Sequence, residues 1–373
     1  MQLISLDQVF RILKPGIPLP FGIRDAEGRL LLGRGHVVPD QARLLELLNR
    51  GMFVDAEEVR RSMASRDAEP IAHQVEKFST RWDALLRKLG LLLRSPADGE
   101  FLPQVHEVVE QVCTFPEAQA DQILFLILRH DHSRHELYAE AHALHVAALC
   151  SLVSRRLAWP DAQRRSLVGA ALTMNLSMVN LQAKLAGQRT PPNPSQRKDI
   201  QSHPLASAAV LQAAGLTDAA WLAAVEQHHE APGGSGYPQQ VAAPSELAQL
   251  IRLADSFAAK HSARAGRPKQ AAEQAARDLY AQNGGDALAM ALIRECGIYP
   301  PGCFVKLASG ETAVVIRRGA KPKEPLVAAL TNAHGEPLAR PVQRDTAQAA
   351  RAIVATVAEK AVTVQVSADL LYG

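Results

Sequence analysis

Residues 228–238 read HHEAPGGSGYP: two adjacent histidines and a glutamate, three glycines within four residues, then Tyr237 and Pro238. The histidines close a helical pattern, AAWLAAVEQHHE (219–230), whose apolar residues recur at helical spacing. The glycines that follow demand backbone angles that residues with a β-carbon avoid. The chain therefore leaves a helix through an irregular loop, with imidazoles at its lip.

On both sides of this loop helical periodicity dominates, from about 99 to 296. Candidate helices cover 101–114, 117–130, 134–157, 161–176, 195–214, 218–229, 245–264, 268–283 and 285–296. A second break, QRTPPNP (188–194), holds prolines that cannot sit inside a helix. Upstream, Val75, Phe78, Trp82, Leu85, Leu86, Leu89 and Leu93 fall on one face of an amphipathic helix, after the polar linker EEVRRSMASRDAEP (57–70).

The two ends read differently. FGIRD and RLLLGRG are short strands about a turn at Ala26-Glu27-Gly28, and Pro39-Asp40 opens a helix, ARLLELLNRG, that stops at Gly51. After Pro300-Pro301-Gly302 the pattern alternates: FVKLASGETAVVIRR, PLVAALTNAHGEPL and VTVQV read as strands. The expected fold is mainly α, a helical bundle with a small N-terminal mixed α/β unit and a short C-terminal β appendage. The expected limits are 1–55 for the mixed unit, 56–98 for linker and amphipathic helix, 99–300 for the bundle and 301–373 for the β-rich extension.

Composition narrows the classes. The 373 residues are 47% hydrophobic and 21% charged, which rules out a disordered, collagenous or coiled-coil chain. A net charge of +3 with scattered basic residues gives no nucleic-acid face. Cys113, Cys150, Cys296 and Cys303 lie far apart without a C-x-x-C pair, so they suit a reducing cytoplasm rather than a disulfide framework. The N-terminus lacks a signal-peptide core, and the longest apolar run, Ile123 to Leu128, falls far short of a membrane span. A serine nucleophile motif, a P-loop and a dinucleotide fingerprint are absent.

Thirteen histidines direct the search to metal chemistry. His142 lies on a helix with Ala139, Val146, Leu149 and Cys150. His203 stands at a first turn after the proline break, and His228 and His229 end their helix. Asp255 sits in an apolar helix, LIRLADSFAA, where an unpartnered carboxylate is costly. Imidazoles and a carboxylate projecting from several helices are how bundles build metal sites. Each residue alone is more often a hydrogen-bonded structural side chain than a ligand. His130, His132, His135 and His145 read as a solvated helix junction and helix side face.

HHEAPGGSGYP resembles the signature of the HD-GYP family, in which HHE is followed two residues later by DGSGYP. HALHVAAL (142–149) resembles the family's first-ligand helix, SHPLASAAVL (202–211) its H-P-x-x-x-A helix, and LADSFAAKHSARAGR (253–267) its A-D-x-x-x-A segment with two arginines. The resemblance covers about 130 to 300. It implies an all-helical bacterial phosphohydrolase of the kind that opens cyclic di-GMP at a two- or three-metal site. By that resemblance His142, His203, His228, His229 and Asp255 are metal ligands, and Arg264 and Arg267 contact ligand phosphate. Gly236, Tyr237 and Pro238 form a turn linked in the family to contact with GGDEF-type cyclase domains; packing as a lid is the plainer reading.

The departures carry as much weight. Where the family has A-L-L-H-D-x-G-K, this chain has GAALTMNLSMVNL (169–181), with Met174 and Asn175 at the His-Asp positions and Met178 at the lysine. Gly233 and Gly266 replace a further Asp and Tyr. In the family the missing Asp bridges two metal ions; Asn is neutral and bridges poorly, and Met offers a soft thioether to a site for harder cations. His203, His228 and His229 remain as a three-imidazole set for one ion. The expectation is a degenerate HD-GYP protein, catalytically impaired, acting as a cyclic di-GMP-linked signalling or interaction module with one divalent metal (zinc, iron or manganese) or none. Two alternatives stand beside it. One is an active phosphodiesterase with rearranged ligands, Glu230 or Glu226 supplying a carboxylate; the other is a scaffold without ligand.

Overall fold

The computed structural model describes residues 3–13, 19–36, 38, 41–50, 52–60 and 77–372. The chain divides into two compact units, Met1–Glu76 and Lys77–Gly373. The first holds β1 (Leu3–Ser5), β2 (Ile23–Arg24), β3 (Leu30–Leu32), helix α1 (Gln41–Asn49) and β4 (Phe53–Asp55). Its antiparallel sheet has the order β1-β4-β2-β3, with Val54 opposite both Ile4 and Ile23. Leu6, Phe21, Ile23 and Val54 fill a small core of their own. At the expected hairpin turn, Gly28 takes a φ of 83° and Asp25 Oδ1 accepts from the amides of Glu27 and Arg29. Pro39, Asp40, Gly51, Val75 and most of the polar linker lie outside the described residues.

The second unit is a helical bundle followed by a sheet. Its helices are α2 (Phe78–Arg94), α3 (Phe101–Cys113), α4 (Ala120–Leu128), α5 (Tyr138–Arg156), α6 (Asp161–Thr173), α7 (Val179–Gly187), α8 (Pro194–Ala213), α9 (Ala219–Gln227), α10 (Glu246–His261), α11 (Ala272–Asn283) and α12 (Ala287–Cys296). Helix α5 is the axis: every residue from Tyr138 to Ser154 is buried. Its alanines at 139, 141, 143, 147 and 148 let neighbouring helices approach on all sides. His135–Arg156 is, among the described residues, the one helical segment apolar and long enough to cross a membrane, yet it is 94% buried inside the protein.

Local chemistry explains most helix ends. Asn193 and Gln196 form a reciprocal capping box at α8, with Pro194 in the first turn. Asp218 caps α9 and Ser245 caps α10. The sequence reading gave no helix between 176 and 195, yet α7 lies there, because Asn175 and a short 3-10 turn restart the chain at Val179. The helix expected to run to 264 ends at His261, and the next starts at Ala272 rather than 268. Between them a tight turn pairs the backbones of Arg264 and Arg267.

The C-terminal sheet is antiparallel, in the order β8-β7-β6-β5-β9, from β5 (Phe304–Leu307), β6 (Thr312–Arg317), β7 (Leu326–Thr331), β8 (Pro337–Asp345) and β9 (Ile353–Val357). Phe304, Val314 and Ile316 pack on one face; Val305, Ala313 and Val315 pack on the other. The expected strand at 362–366 does not form. Val362, Val364 and Val366 lie along the apolar cluster without pairing to a strand, and β9 forms earlier in the chain. Helix α13 (Ala368–Tyr372) then docks on α4, where the Tyr372 hydroxyl donates to the carbonyl of Ile316.

Close packing of α6 on α9 positions the site. A β-carbon at Gly169 would fall 2.3 Å from the Trp221 ring, whose indole N–H donates to Thr173 one turn on. We expect Gly169→Ala to destabilise the protein by about 1–3 kcal/mol through overpacking, outweighing alanine's helix preference. Urea denaturation checks this, and an unchanged or raised midpoint contradicts it.

Candidate metal centre

Two helices bring three imidazoles to one place: His203 comes from the middle of α8 rather than from the first turn expected after the proline break, because the helix already starts at Pro194. His203 lies in α8 beside Pro204, and His228 and His229 close α9. His203 Nδ1 faces the carbonyl of Ile200 at 2.6 Å, and His228 Nδ1 faces that of Val225 at 2.7 Å. A carbonyl only accepts, so each Nδ1 carries the proton. In a neutral ring that leaves both Nε2 atoms as lone pairs, and these two atoms point at each other across 3.0 Å.

Burial forbids the easy remedy of a second proton. It drives the pKa of His228 well below its usual value, helped by the neighbouring imidazoles, and that of His203 down to about 4. Two opposed lone pairs on buried rings suit a shared Lewis acid. Ligand nitrogens of His203, His228 and His229 all lie within 4.8 Å of one another. Imidazoles oriented by Nδ1–H bonds to carbonyls are the usual outer-shell arrangement of metal ligands. The residues fit a single borderline divalent ion.

His142 and Asp255 stand apart from this trio. His142 Nε2 lies 2.6 Å from Asp255 Oδ1, joining α5 to α10. Burial works to raise the Asp255 carboxyl, but the hydrogen bond to His142 and the facing imidazoles hold it below its ordinary range. Tyr138 stacks on His142 with ring centres 5.4 Å apart. The Arg264 guanidinium lies over the Tyr138 ring and donates to its hydroxyl. All four residues, with His203 and His229, line a pocket of about 160 Å³.

The substituted positions divide. Met174 is 1% exposed and packed in the main core, so its thioether is not offered to the pocket at all. That corrects the expectation of a soft ligand. Asn175 and Met178 do line the pocket. Gln182 joins them with its Oε1 buried and unpartnered; it was missed because α7 was not read as a helix.

Glu230 is not a replacement carboxylate. It is fully buried, and its oxygens accept from the amides of Gln239 and Val241 at 2.6 and 3.1 Å, holding the glycine loop closed. Glu226 does not line the pocket, which leaves Asp255 as the one carboxylate that does among the described residues. A β-carbon at Gly236 would meet the Glu230 backbone at 2.4 Å, so only glycine lets the loop fold back. Tyr237 then stacks on His229 at 4.6 Å, and Pro238 leads the chain away. Arg267 does not reach the pocket; it donates to the carbonyl of Ala259 and stabilises the end of α10.

The histidines assigned to a solvated junction are in part a second buried group. His145 is 1% exposed and stacks on Trp82. His130 and His132 pack edge-on against it, with ring centres 5.1 and 6.4 Å away. Helix α5 is buried on every side, so a position judged a side face has no solvent to reach.

Residues 121–287 match the family described as the HD domain. A cyclic di-GMP phosphodiesterase of Pseudomonas aeruginosa is 26% identical over 210 residues, covering 53% of this chain and 51% of that protein. The chain thus matches about half the length of that relative. An HDG"Y"P protein of Bdellovibrio bacteriovorus superposes with a TM-score of 0.47 at 18% identity, over 78% of this chain and 97% of the other.

The buried imidazoles set a pH dependence. Burial lowers His132 to about 3, His261 to about 4, and His145 well below its usual value. Above the unfolded value of ~6.5 these groups are neutral in both states. As pH falls below it, the unfolded chain binds protons that the folded protein refuses. Stability is lost towards pH 4, by up to about 1.4 kcal/mol per pH unit for each histidine. Urea midpoints of the metal-stripped protein should fall from pH 7.5 to 5; a midpoint that holds or rises contradicts this.

Proposed function

We propose that the chain carries an HD domain of the HD-GYP type and is a catalytically impaired module that holds one divalent ion and recognises the phosphodiester of cyclic di-GMP. The observation that carries the proposal is the opposed Nε2 pair of His203 and His228, beside a pocket lined by the neutral Asn175, at the position where the HD-GYP resemblance implies a bridging Asp. When bound, the ion, zinc, iron or manganese, supplies a Lewis acid for a phosphate oxygen.

The charge balance favours one ion over two. Unit charges 4 Å apart interact by about 4 kcal/mol at an effective dielectric of 20, so two dications repel by roughly four times that. A shared carboxylate offsets such repulsion, and the amide of Asn175 does not. Asp255 is engaged by His142, and Glu230 by the glycine loop. No feature therefore favours the rearranged active enzyme.

The chain's own residues suit binding better than turnover. Arg264 sits in the pocket wall, where a guanidinium donates well to phosphate oxygens. The pocket is close in volume to a cavity that holds one benzene ring, so it admits the phosphodiester edge rather than a whole dinucleotide. We assign the Gly236-Tyr237-Pro238 turn as a lid over the ion, since the Tyr237 ring is committed to His229. Contact with a GGDEF-type partner would then fall on the outer backbone of that turn. The free thiols of Cys113, Cys150, Cys296 and Cys303 suit work in a reducing cytoplasm.

Protein purified without chelators should contain one equivalent of metal, falling to near zero in His228→Ala. With added manganese or iron it should not hydrolyse cyclic di-GMP above background. Calorimetric titration should show saturable binding, weakened about 10- to 100-fold by Arg264→Ala through loss of a charged hydrogen bond. Two ions per chain with turnover abolished by His229→Ala would contradict the reading.

A further inference from the structure

A second cavity, of about 190 Å³, opens where the bundle meets the C-terminal sheet. It lies away from the histidine pocket and shares no lining residue with it. Its walls are mostly apolar, from Leu128, Ile298, Tyr299, Phe304 and Val357. Two cations stand among them. Arg129 lies over the Phe304 ring at 4.6 Å, with its Nε buried and unpartnered. Lys269 lies close enough to Arg129 that burial, with that neighbouring charge, lowers its pKa to about 8.

Two further features face the same space. Helix α11 begins at the cavity wall with Ala271 in the capping position, so no side chain caps its first amides. That end carries the positive pole of the helix. His261, also in the wall, is buried to 4% exposure, and its Nδ1 is spent on the carbonyl of Phe257. Its Nε2 and the Oε1 of Gln270 find no partner. Unpartnered polar atoms beside a cavity are costly unless a ligand or water meets them.

One carboxylate now answers the two cations. Glu359, on a short 3-10 turn after the edge strand β9, pairs with Arg129 at 2.9 Å and with Lys269. It is 43% exposed at its side chain, and so hangs over the mouth rather than filling the apolar interior. Glu273 at the rim is engaged by Arg277. The cavity thus joins an uncapped helix start, two cations and an apolar chamber near the size of one ring.

We propose that this cavity binds a small organic anion, a carboxylate or phosphate on a compact apolar or aromatic body, and that Glu359 is its internal competitor. The anionic group takes the place of the Glu359 carboxylate on Arg129 and Lys269, and the apolar body enters the chamber. Neither the metal centre nor the phosphodiester pocket is required for it.

Calorimetric titration of the full chain with benzoate, phenyl phosphate and inorganic phosphate tests this. Benzoate or phenyl phosphate should bind saturably to wild type, about tenfold more tightly to Glu359→Gln, and at least about tenfold more weakly to Lys269→Gln. Which of the two aromatic anions binds better distinguishes carboxylate from phosphate recognition. Inorganic phosphate should bind more weakly than phenyl phosphate. Absence of saturable binding to both wild type and Glu359→Gln overturns the proposal. So does binding that Glu359→Gln leaves unchanged, or inorganic phosphate binding as tightly as the aromatic anions. Glu359→Gln keeps the test open should Lys269→Gln fail to fold.

Discussion

Two imidazole lone pairs facing each other across 3.0 Å are the constraint on which the candidate site depends. Neither ring can turn away, because each is fixed through Nδ1 to a carbonyl one turn back on its own helix. Neither can protonate cheaply, because both rings are buried. The bundle keeps this arrangement by packing α9 against α6, α8 and α10, with the Trp221 ring seated on Gly169. The geometry is therefore strained in the electrostatic sense unless a cation lies between the nitrogens, and that requirement does not involve the departures from the HD-GYP pattern at positions 174 and 175.

Those changes act differently from each other. Met174 packs into the apolar core at the end of α6 and does not line the pocket. Asn175 lies at the pocket surface, where it presents a neutral amide. Around them lie the Gly236-Tyr237-Pro238 turn stacked on His229, its supporting Glu230 and the three imidazoles. The three imidazoles suit one ion, and the neutral Asn175 offers no anionic bridge for a second.

Much of this was legible in the chain itself. The adjacent histidines before a glycine loop, the proline break at 188–194 and the apolar helix around His142 mark the bundle and the two helices that carry the trio. Other features were not, and for physical reasons. Helix α7 begins without a side-chain cap, so nothing local announced it, and Gln182 was missed with it. His145 seemed a side face because periodicity locates one buried stripe, whereas a helix surrounded by neighbours has no other kind of face. Arg267 lies three residues from Arg264, yet the tight turn between them sends its guanidinium back to α10. The cavity below the sheet joins residues more than two hundred positions apart, and no local pattern foretells it.

The account is tested most directly by X-ray absorption at the edge of the metal in the purified protein. It predicts a first shell containing three imidazole nitrogens, near 2.0–2.1 Å for zinc, and no scattering from a second metal. A metal–metal vector at roughly 3.5–4 Å would show that two ions sit side by side, and would contradict it.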